Sequence, residues 1–413
     1  MASHQDDSAQ LQTLLGQLTA AVGAYRPGPE PEAYAARMDI TAKVKEMQRL
    51  MMAPADMALH HTVNMFELVG IRTLREYDVL RAIPAPPESI SLADLAAKTG
   101  LQDSLLERIA RLLVGTGFLD MTPDYQYRHT KFSSAYCQEP GPGNFMQAMF
   151  DEGLTPLTGF HSWLRTSGND GQEPGDYYRN PYTSHHKQDG LSPLDIMAQF
   201  PKRLKEFQLG FMAQEDAVPI TGYYDFGQLF DPEKDGDRPT VVDVGSGQGQ
   251  SIKQMLDSFP NLESRRMVME DLPPVIELAK TSKHVPSDVT MLVHNFLAPQ
   301  PVAATGAKAY YLRRIMHDFS DANCVVILKH IRAAMLPDSR VLLADMVMPK
   351  RVTEADLPAA AIDNCMMIMG GKERTAEGFE KVVAEAGLEL VRIWRSREDG
   401  ATGALVEAKM SSS

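Results

Sequence analysis

The sequence predicts an α/β fold built on a mostly parallel sheet, preceded by a mainly helical N-terminal region. Three observations carry this reading. From about residue 239, Val-rich apolar runs alternate with helical periods, which is the texture of strands joined by crossover helices. Residues 38–83 repeat apolar side chains at spacings of three and four, the signature of helices. Residues 89–130 read as two short helices followed by a hairpin, a winged-helix pattern.

Composition narrows the class. A chain of 413 residues is too long for one ordinary domain. At 44% hydrophobic and 23% charged it can bury a sizeable core. Lys and Arg total 41 against 54 Asp and Glu, a formal charge of −13. Coating nucleic acid or an anionic membrane means neutralising phosphates, so neither partner is expected. Cys137, Cys324 and Cys365 stand far apart with no CxxC, which indicates neither a zinc cage nor a disulfide framework. An odd cysteine count suits a reducing compartment. The N-terminus lacks a basic and an apolar leader region, and no apolar run approaches the length of a membrane span. A cytoplasmic location is expected. The 24 methionines suit core gaps and adaptable pockets.

The elements follow in order. Residues 1–25 have a weak helical period through Leu11, Leu14, Leu15 and Leu18, and Tyr25 to Pro31 is a breaker cluster. Met47, Leu50 and Met51, then Met65, Phe66 and Val69, mark helices that end at Pro84 to Pro87. Ser91 with Asp94 forms a helix-start signal, and Gly100 suits the end of that helix. Asp103 is expected to cap a second helix, which carries Leu105, Leu106, Ile109, Leu112 and Leu113. Gly115 and Gly117 lead into a strand whose hairpin partner lies in Tyr125 to Thr130. Such a unit can read DNA, but Arg108 and Arg111 are offset by Asp103 and Glu107. Packing or dimerisation is the favoured role. Residues 166–193 are rich in Gly, Pro, Asn, Asp and Tyr and read as a long surface loop or lid. His185 and His186 lie in it without the further ligands a metal would need. Residues 194–216 return to helical period, with Phe200, Leu204, Phe207, Phe211 and Met212 near one face.

The sharpest motif is Val241-Val242-Asp243-Val244-Gly245-Ser246-Gly247-Gln248-Gly249. An apolar strand enters a glycine-rich turn, and a helix follows over Gln250 to Asp257. Such a turn lets backbone approach a ligand and aims free helix amides at it. Gln250 breaks the G-x-G-x-x-G dinucleotide fingerprint, and the pattern is D-x-G-x-G-x-G. A tight structural turn is the alternative. The second strand ends in Glu270 and Asp271, where an acid can accept both hydroxyls of a ribose. A surface acid or helix cap is the alternative, since LPPVIELA follows. Turn and acid together point to a nucleoside cofactor. His317 follows the apolar strand AYYLRRIM; a lone histidine in that position is ordinarily a hydrogen-bonded core or surface residue.

The order Asp-Val-Gly-Ser-Gly-Gln-Gly, Asp271-Leu-Pro-Pro-Val-Ile-Glu, Leu312-Arg313-Arg314-Ile-Met-His317-Asp318-Phe319-Ser320-Asp321 and Gly370-Gly-Lys-Glu373-Arg-Thr375 resembles the caffeate-type S-adenosylmethionine-dependent O-methyltransferases of plants and fungi. The catalytic half looks closest to fungal natural-product members. The resemblance runs from about residue 90 to the end, while the first 85 residues match only in helical character. It implies a Rossmann-like doubly wound S-adenosylmethionine-binding sheet and an N-terminal winged-helix dimerisation domain. The implied domains are 1–145, with the winged helix at about 89–135, and 146–413. The second comprises connecting helices and loop at 146–225 and a cofactor-binding core at 226–413. A homodimer is implied.

By the same resemblance, Asp243, Gly245, Gly247 and Gly249 would hold the methionine part of the cofactor and Asp271 its ribose. Asn295 stands where the family usually has an aspartate for the adenine amine, so weaker cofactor binding is expected. Phe296 would flank the adenine. Arg313 takes the place of a frequent lysine, and Phe319 that of a common tryptophan. His317 corresponds to the general base. Asp345, in place of a usual glutamate, and Glu373 would orient its imidazole. No metal is required. The implied reaction moves a methyl group to a phenolic or enolic hydroxyl of a small polyketide-like molecule in secondary metabolism and releases S-adenosylhomocysteine. The acceptor pocket draws on Phe207, Phe211, Met212, Met366 and Met367, with Phe200 and Met369 as further candidates. The alternative is a repurposed member that binds the cofactor but catalyses a cyclisation or pericyclic step without methyl transfer.

Overall fold

The computed structural model describes residues 4–28, 30–169, 171–212, 218–231, 233–282, 284–395 and 403–411. The chain forms two compact units, one of residues 1–155 and 197–214, the other of 156–196 and 215–413.

The first unit opens with helices His4–Ala24, Pro31–Met51 and Pro54–Glu76. The second and third begin on proline, whose missing N–H is no loss at a helix start. In the winged-helix segment, helix Leu92–Thr99 is capped by the Ser91 hydroxyl, which accepts the Asp94 N–H at 3.1 Å, and ends at left-handed Gly100. Helix Asp103–Gly115 differs from expectation at its start. Gln102 holds the cap position, and Asp103 is the first helical residue, where its charge still complements the helix dipole. Strands β1 (Leu119–Met121) and β2 (Tyr127–His129) pair antiparallel, and Ile90 bridges to Tyr127. Leu74, Leu95, Leu106, Leu113, Leu119 and Tyr127 form the core beneath them. Helix Pro201–Met212 groups with this unit, not with the connecting segment that runs into the C-terminal half. A Cβ at Gly210 would stand 2.8 Å from Phe145 Cα, so glycine permits this close helix crossing. Arg203 grips buried Glu152 through two bonds of 2.7 Å.

The second unit is a doubly wound α/β domain. Its sheet runs in the order β5 (Thr290–Val293), β4 (Met267–Asp271), β3 (Val241–Val244), β6 (Ala309–Arg313), β7 (Arg340–Met348), β10 (Gly403–Met410) and β9 (Leu388–Arg395). The first five are parallel, and β10 pairs antiparallel with both β7 and β9. A two-residue strand β8 (Arg374–Thr375), which the sequence pattern does not announce, pairs with the end of β7. All four residues of β3 are buried, as a central strand covered on both faces requires. Helices Asp321–Ala334 and Ala376–Glu385 pack Ile327, Leu328, Ile331, Phe379 and Val382 against Val242, Val244, Leu312 and Leu343. Chain order reverses on either side of β3, the position where such sheets open a ligand crevice.

The segment 166–193 corrects the surface-loop expectation. It contains helix Pro181–His185, and Asn180, Tyr182 and Thr183 are wholly buried. Asn180 caps that helix and Pro181 opens it, a start signal hidden by the polar composition around it. His185 and His186 pack ring against ring at 5.0 Å. Among the described residues no group of His, Cys, Asp and Glu could hold a metal, and the cysteines are free thiols. No described helix is long and apolar enough to cross a membrane.

Candidate active site

The functional residues of the second unit gather at the C-terminal ends of β3, β4, β6 and β7. After β3 the chain turns through Gly245, Gly247 and Gly249, all left-handed at φ +72°, +57° and +88°. A Cβ at Gly245 would lie 2.5 Å from Ile315 Cδ1, so both conformation and space call for glycine there. The N–H groups of Gly245 and Ser246 donate to the Glu270 carbonyl at 2.9 and 3.1 Å, tying the loop to β4. Asp271, at the end of β4, accepts the Gly247 N–H at 2.8 Å and its neighbour Leu272's at 2.7 Å.

Asp243 is buried in β3. Its Oδ2 has no hydrogen-bond partner, and neither does the Ser246 hydroxyl. Burial pushes the Asp243 carboxyl up to about 8, and nearby Arg313 opposes that rise. Orphaned buried acceptors beside a glycine turn fit a ligand that brings its own cationic donor, as the ammonium of S-adenosylmethionine does. The donor set therefore suits the expected cofactor. Phe296 lies beside Gly245 and meets Phe319 edge-on at 5.6 Å. Asn295 uses its side-chain carbonyl to accept the Leu297 N–H at 3.0 Å, so part of its acceptor capacity is spent locally. The Arg313 guanidinium donates twice to the Val218 carbonyl, at 3.0 and 2.8 Å, a partner the sequence pattern does not indicate.

His317 sits in a single turn, Met316–Asp318, after β6, and is 7% exposed. Its Nδ1 lies 2.7 Å from Glu373 Oε1. A carboxylate only accepts, so Nδ1 carries the proton and Nε2 is the free base position. Nε2 is 3.5 Å from Asp318 Oδ1, too far for a good hydrogen bond. Burial alone would lower the pKa of His317. Glu373, Asp318 and, less strongly, Asp345 outweigh it and raise the imidazole to about 9. Asp345 is buried, but both its oxygens lack a hydrogen-bond partner. Its expected orienting contact is thus replaced by a purely electrostatic one, as the shorter aspartate side chain would produce. Burial holds the Asp345 carboxyl above the usual range, and His317 opposes this.

Two arginines complete the cluster, and neither was singled out by motif reading. Arg314, left-handed at φ +56°, feels the charges of Glu373, Asp345 and Asp318. Arg374, fully buried, donates to the Met316 and Phe319 carbonyls at 2.6 and 2.7 Å and pairs with Asp321 at 2.9 Å. It therefore clasps both ends of the histidine turn. Its signal was its place in the Gly-Gly-Lys-Glu-Arg-Thr motif.

The apolar pocket candidates fall into two groups. Met366 and Met369 are buried and Met367 half-buried along and just beyond helix Leu357–Ile368 of the second unit. Phe207 and Phe211 pack with ring centroids 4.4 Å apart in the first unit, and Met212 is exposed there.

Comparison with known proteins places this geometry. The O-methyltransferase domain profile matches residues 236–389, and the O-methyltransferase dimerisation domain profile matches 70–139. The chain is 30% identical to Methyltransferase cfoD of Aspergillus candidus over 94% of its own length and 96% of that protein's. It is also 30% identical to O-methyltransferase kntB of Aspergillus niger, covering 87% of this chain and 85% of that one. Among solved structures it resembles OxaC, crystallised with S-adenosylhomocysteine and oxaline, with a TM-score of 0.85 and 25% identity over 98% of this chain and 100% of that chain.

Proposed function

We infer the reaction in detail from one premise: this chain belongs to the S-adenosylmethionine-dependent O-methyltransferase family, in its fungal natural-product branch. It methylates a phenolic or enolic hydroxyl of a small secondary metabolite, with His317 as general base, and it works as a homodimer through its N-terminal region. The observation that carries this reading is the 2.7 Å contact of Glu373 with Nδ1 of His317, two residues beyond Ile315, which lies against the glycine turn after β3.

S-adenosylmethionine supplies, when bound, an electrophilic methyl group on a sulfonium sulfur. Gly245, Gly247 and Gly249 admit it, Asp243 and Ser246 offer acceptors to its amino acid end, and Asp271 takes the ribose. Phe296 and Phe319 offer aromatic faces, and Arg313 and Asn295 complete the set.

Glu373 holds the histidine tautomer so that Nε2 can accept the acceptor's proton. A phenol near pKa 10 would lose its proton to free imidazole near 6.5 at a cost of about 5 kcal/mol. With His317 raised to about 9, most of that cost is removed. The same rise leaves only about 1% of His317 unprotonated at pH 7, so the rate should climb with pH. Arg374 fixes the turn that carries the base. Met366 and Met367 of the second unit offer apolar side chains to a flat acceptor.

The test is label transfer from methyl-labelled S-adenosylmethionine into a panel of phenols and enolised 1,3-dicarbonyls and into metabolite extracts, with His317→Gln alongside. Label in an ether-type product with wild type but not with the variant supports the reading. Cofactor binding with unlabelled, rearranged product would replace it with the cyclisation alternative.

A further inference from the structure

The segment Glu173–Thr183 reaches the chain beside each half of the catalytic pair within the second unit, at Met369 and Lys372 before Glu373 and at Phe319 after His317. Asn180 is fully buried at its centre. Its Nδ2 donates to the carbonyls of Asp176 (3.1 Å), Tyr177 (3.0 Å) and Met369 (3.1 Å), and its Oδ1 accepts the Thr183 N–H at 3.0 Å. Three of these contacts shape the segment itself. The fourth crosses 189 residues to the turn that leads to Glu373.

That turn is layered between the segment and the main chain of His317. Gly370 is left-handed at φ +86°, and a Cβ there would stand 2.9 Å from the Asp176 carbonyl oxygen. A Cβ at Gly371 would collide with the His317 carbonyl oxygen. The Lys372 N–H donates to that same oxygen at 2.7 Å. Lys372 Nζ reaches back to Glu173 of the segment at 3.0 Å. On the other side, Tyr177 packs on Phe319, two residues after His317, with centroids 4.9 Å apart. The segment is therefore a strap that fixes the Met369–Glu373 turn from outside while His317 fixes it from inside.

We propose that Asn180 is a positioning residue for the His317–Glu373 pair, acting through the Met369 carbonyl to hold the turn that presents the Glu373 carboxylate. The proposal rests on His317 and Glu373 being the working pair, so its test reads the pair directly as well as through turnover. Without the Asn180 amide the turn loses its buried tether to the strap and keeps the exposed Lys372–Glu173 contact, so the carboxylate moves relative to the imidazole. Displacements of about 1 Å in catalytic geometry can cost on the order of a hundredfold in rate.

The groups that set the titration of His317 are Glu373 from the turn, Asp318 from its own turn and Asp345 from β7, with Arg314 beside them at the end of β6. Asn180→Ala leaves all of them in place chemically; it removes the Met369 tether together with the bonds to Asp176, Tyr177 and Thr183 that shape the strap.

The experiment follows the His317 ring signal by NMR against pH in the ligand-free full chain, for wild type, Asn180→Ala and Glu173→Gln. His317→Gln assigns the resonance. Asn180→Ala is expected to lower the His317 pKa by about one unit, because the charge partner that raises it has moved. It should also lower kcat about tenfold or more, with the affinity for S-adenosylhomocysteine changed less than twofold. Glu173→Gln, which removes the exposed ion pair with Lys372 and one negative charge, should shift His317 in the same direction by a smaller amount. It remains readable should Asn180→Ala not fold. An unshifted His317 titration in the folded variants overturns the proposal, even where thermal stability falls. Should His317→Gln keep full methyl transfer, the base assignment fails while the NMR shift still decides the positioning role.

Discussion

Arg374 Nη1 donates to the main-chain carbonyl of Met316 at 2.6 Å, one residue before the histidine proposed as base. Its Nη2 takes the Phe319 carbonyl at 2.7 Å, and Asp321 neutralises it at 2.9 Å. A fully buried guanidinium thus stands under the whole turn that carries His317.

Arg374→Met removes these bonds and leaves Asp321 to Lys381 and Lys372, at 3.7 and 3.9 Å. Breaking a buried ion pair by deleting one partner costs roughly 3–5 kcal/mol. Asp321 is partly solvated and can recover some of that, so urea unfolding should show a loss of about 2–4 kcal/mol. The Lys variant should recover the charge but not the two-sided clasp, leaving kcat well below wild type.

The pH dependence of kcat/KM follows from the raised pKa of His317. The ascending limb should have its midpoint near 9 in wild type. In Glu373→Gln it should move toward the ordinary 6.5, with a lower plateau. The stability of the ligand-free protein carries the same sign. The folded pKa lies above the unfolded one, so this stabilisation is complete below about 6.5 and lost as pH rises through about 9. It amounts to roughly 3 kcal/mol for His317. Buried Asp243 and Glu270, raised to about 8 and 7, act in the same direction. Denaturant midpoints measured from pH 6 to 9.5 should therefore fall, and fall less in His317→Gln.

Gly245→Ala should weaken the cofactor turn by two separable effects. At φ +72° an L-residue costs about 1–2 kcal/mol, and the new methyl meets Ile315 Cδ1 at 2.5 Å. Calorimetry with S-adenosylhomocysteine should show affinity reduced about tenfold. Adding Ile315→Val removes the opposing carbon and should restore part of the affinity, never all of it.

Helix Pro54–Glu76 exposes Leu59, Met65 and Phe66 at 65%, 59% and 62%. Contiguous exposed apolar side chains mark an interaction surface, and a second copy of the chain is the partner expected here. Phe66→Asp should move the sedimenting species from dimer toward monomer, while far-UV circular dichroism stays unchanged.

The sequence by itself determined the α/β class, the winged-helix segment, the glycine turn and the chain positions of Asp243, Asp271, His317 and Glu373. These are local signals: a strand running into glycines, an acid at a strand end, a motif of contiguous residues. Tertiary structure alone decided which of those residues meet. Glu373 reaches His317 across 56 positions, while Asp345 is brought near and makes no bond. Side-chain length and strand facing settle that difference, and neither can be read from spacing. The roles of Asn180 and Arg374 are not legible in the sequence, even though Arg374 lies within a motif, because their work is done on main-chain carbonyls, which every residue has. Only folding chooses the carbonyls of Met369, Met316 and Phe319 as their partners. The polar segment around Asn180 read as solvated loop for the same reason: its burial depends on a turn nearly two hundred residues away.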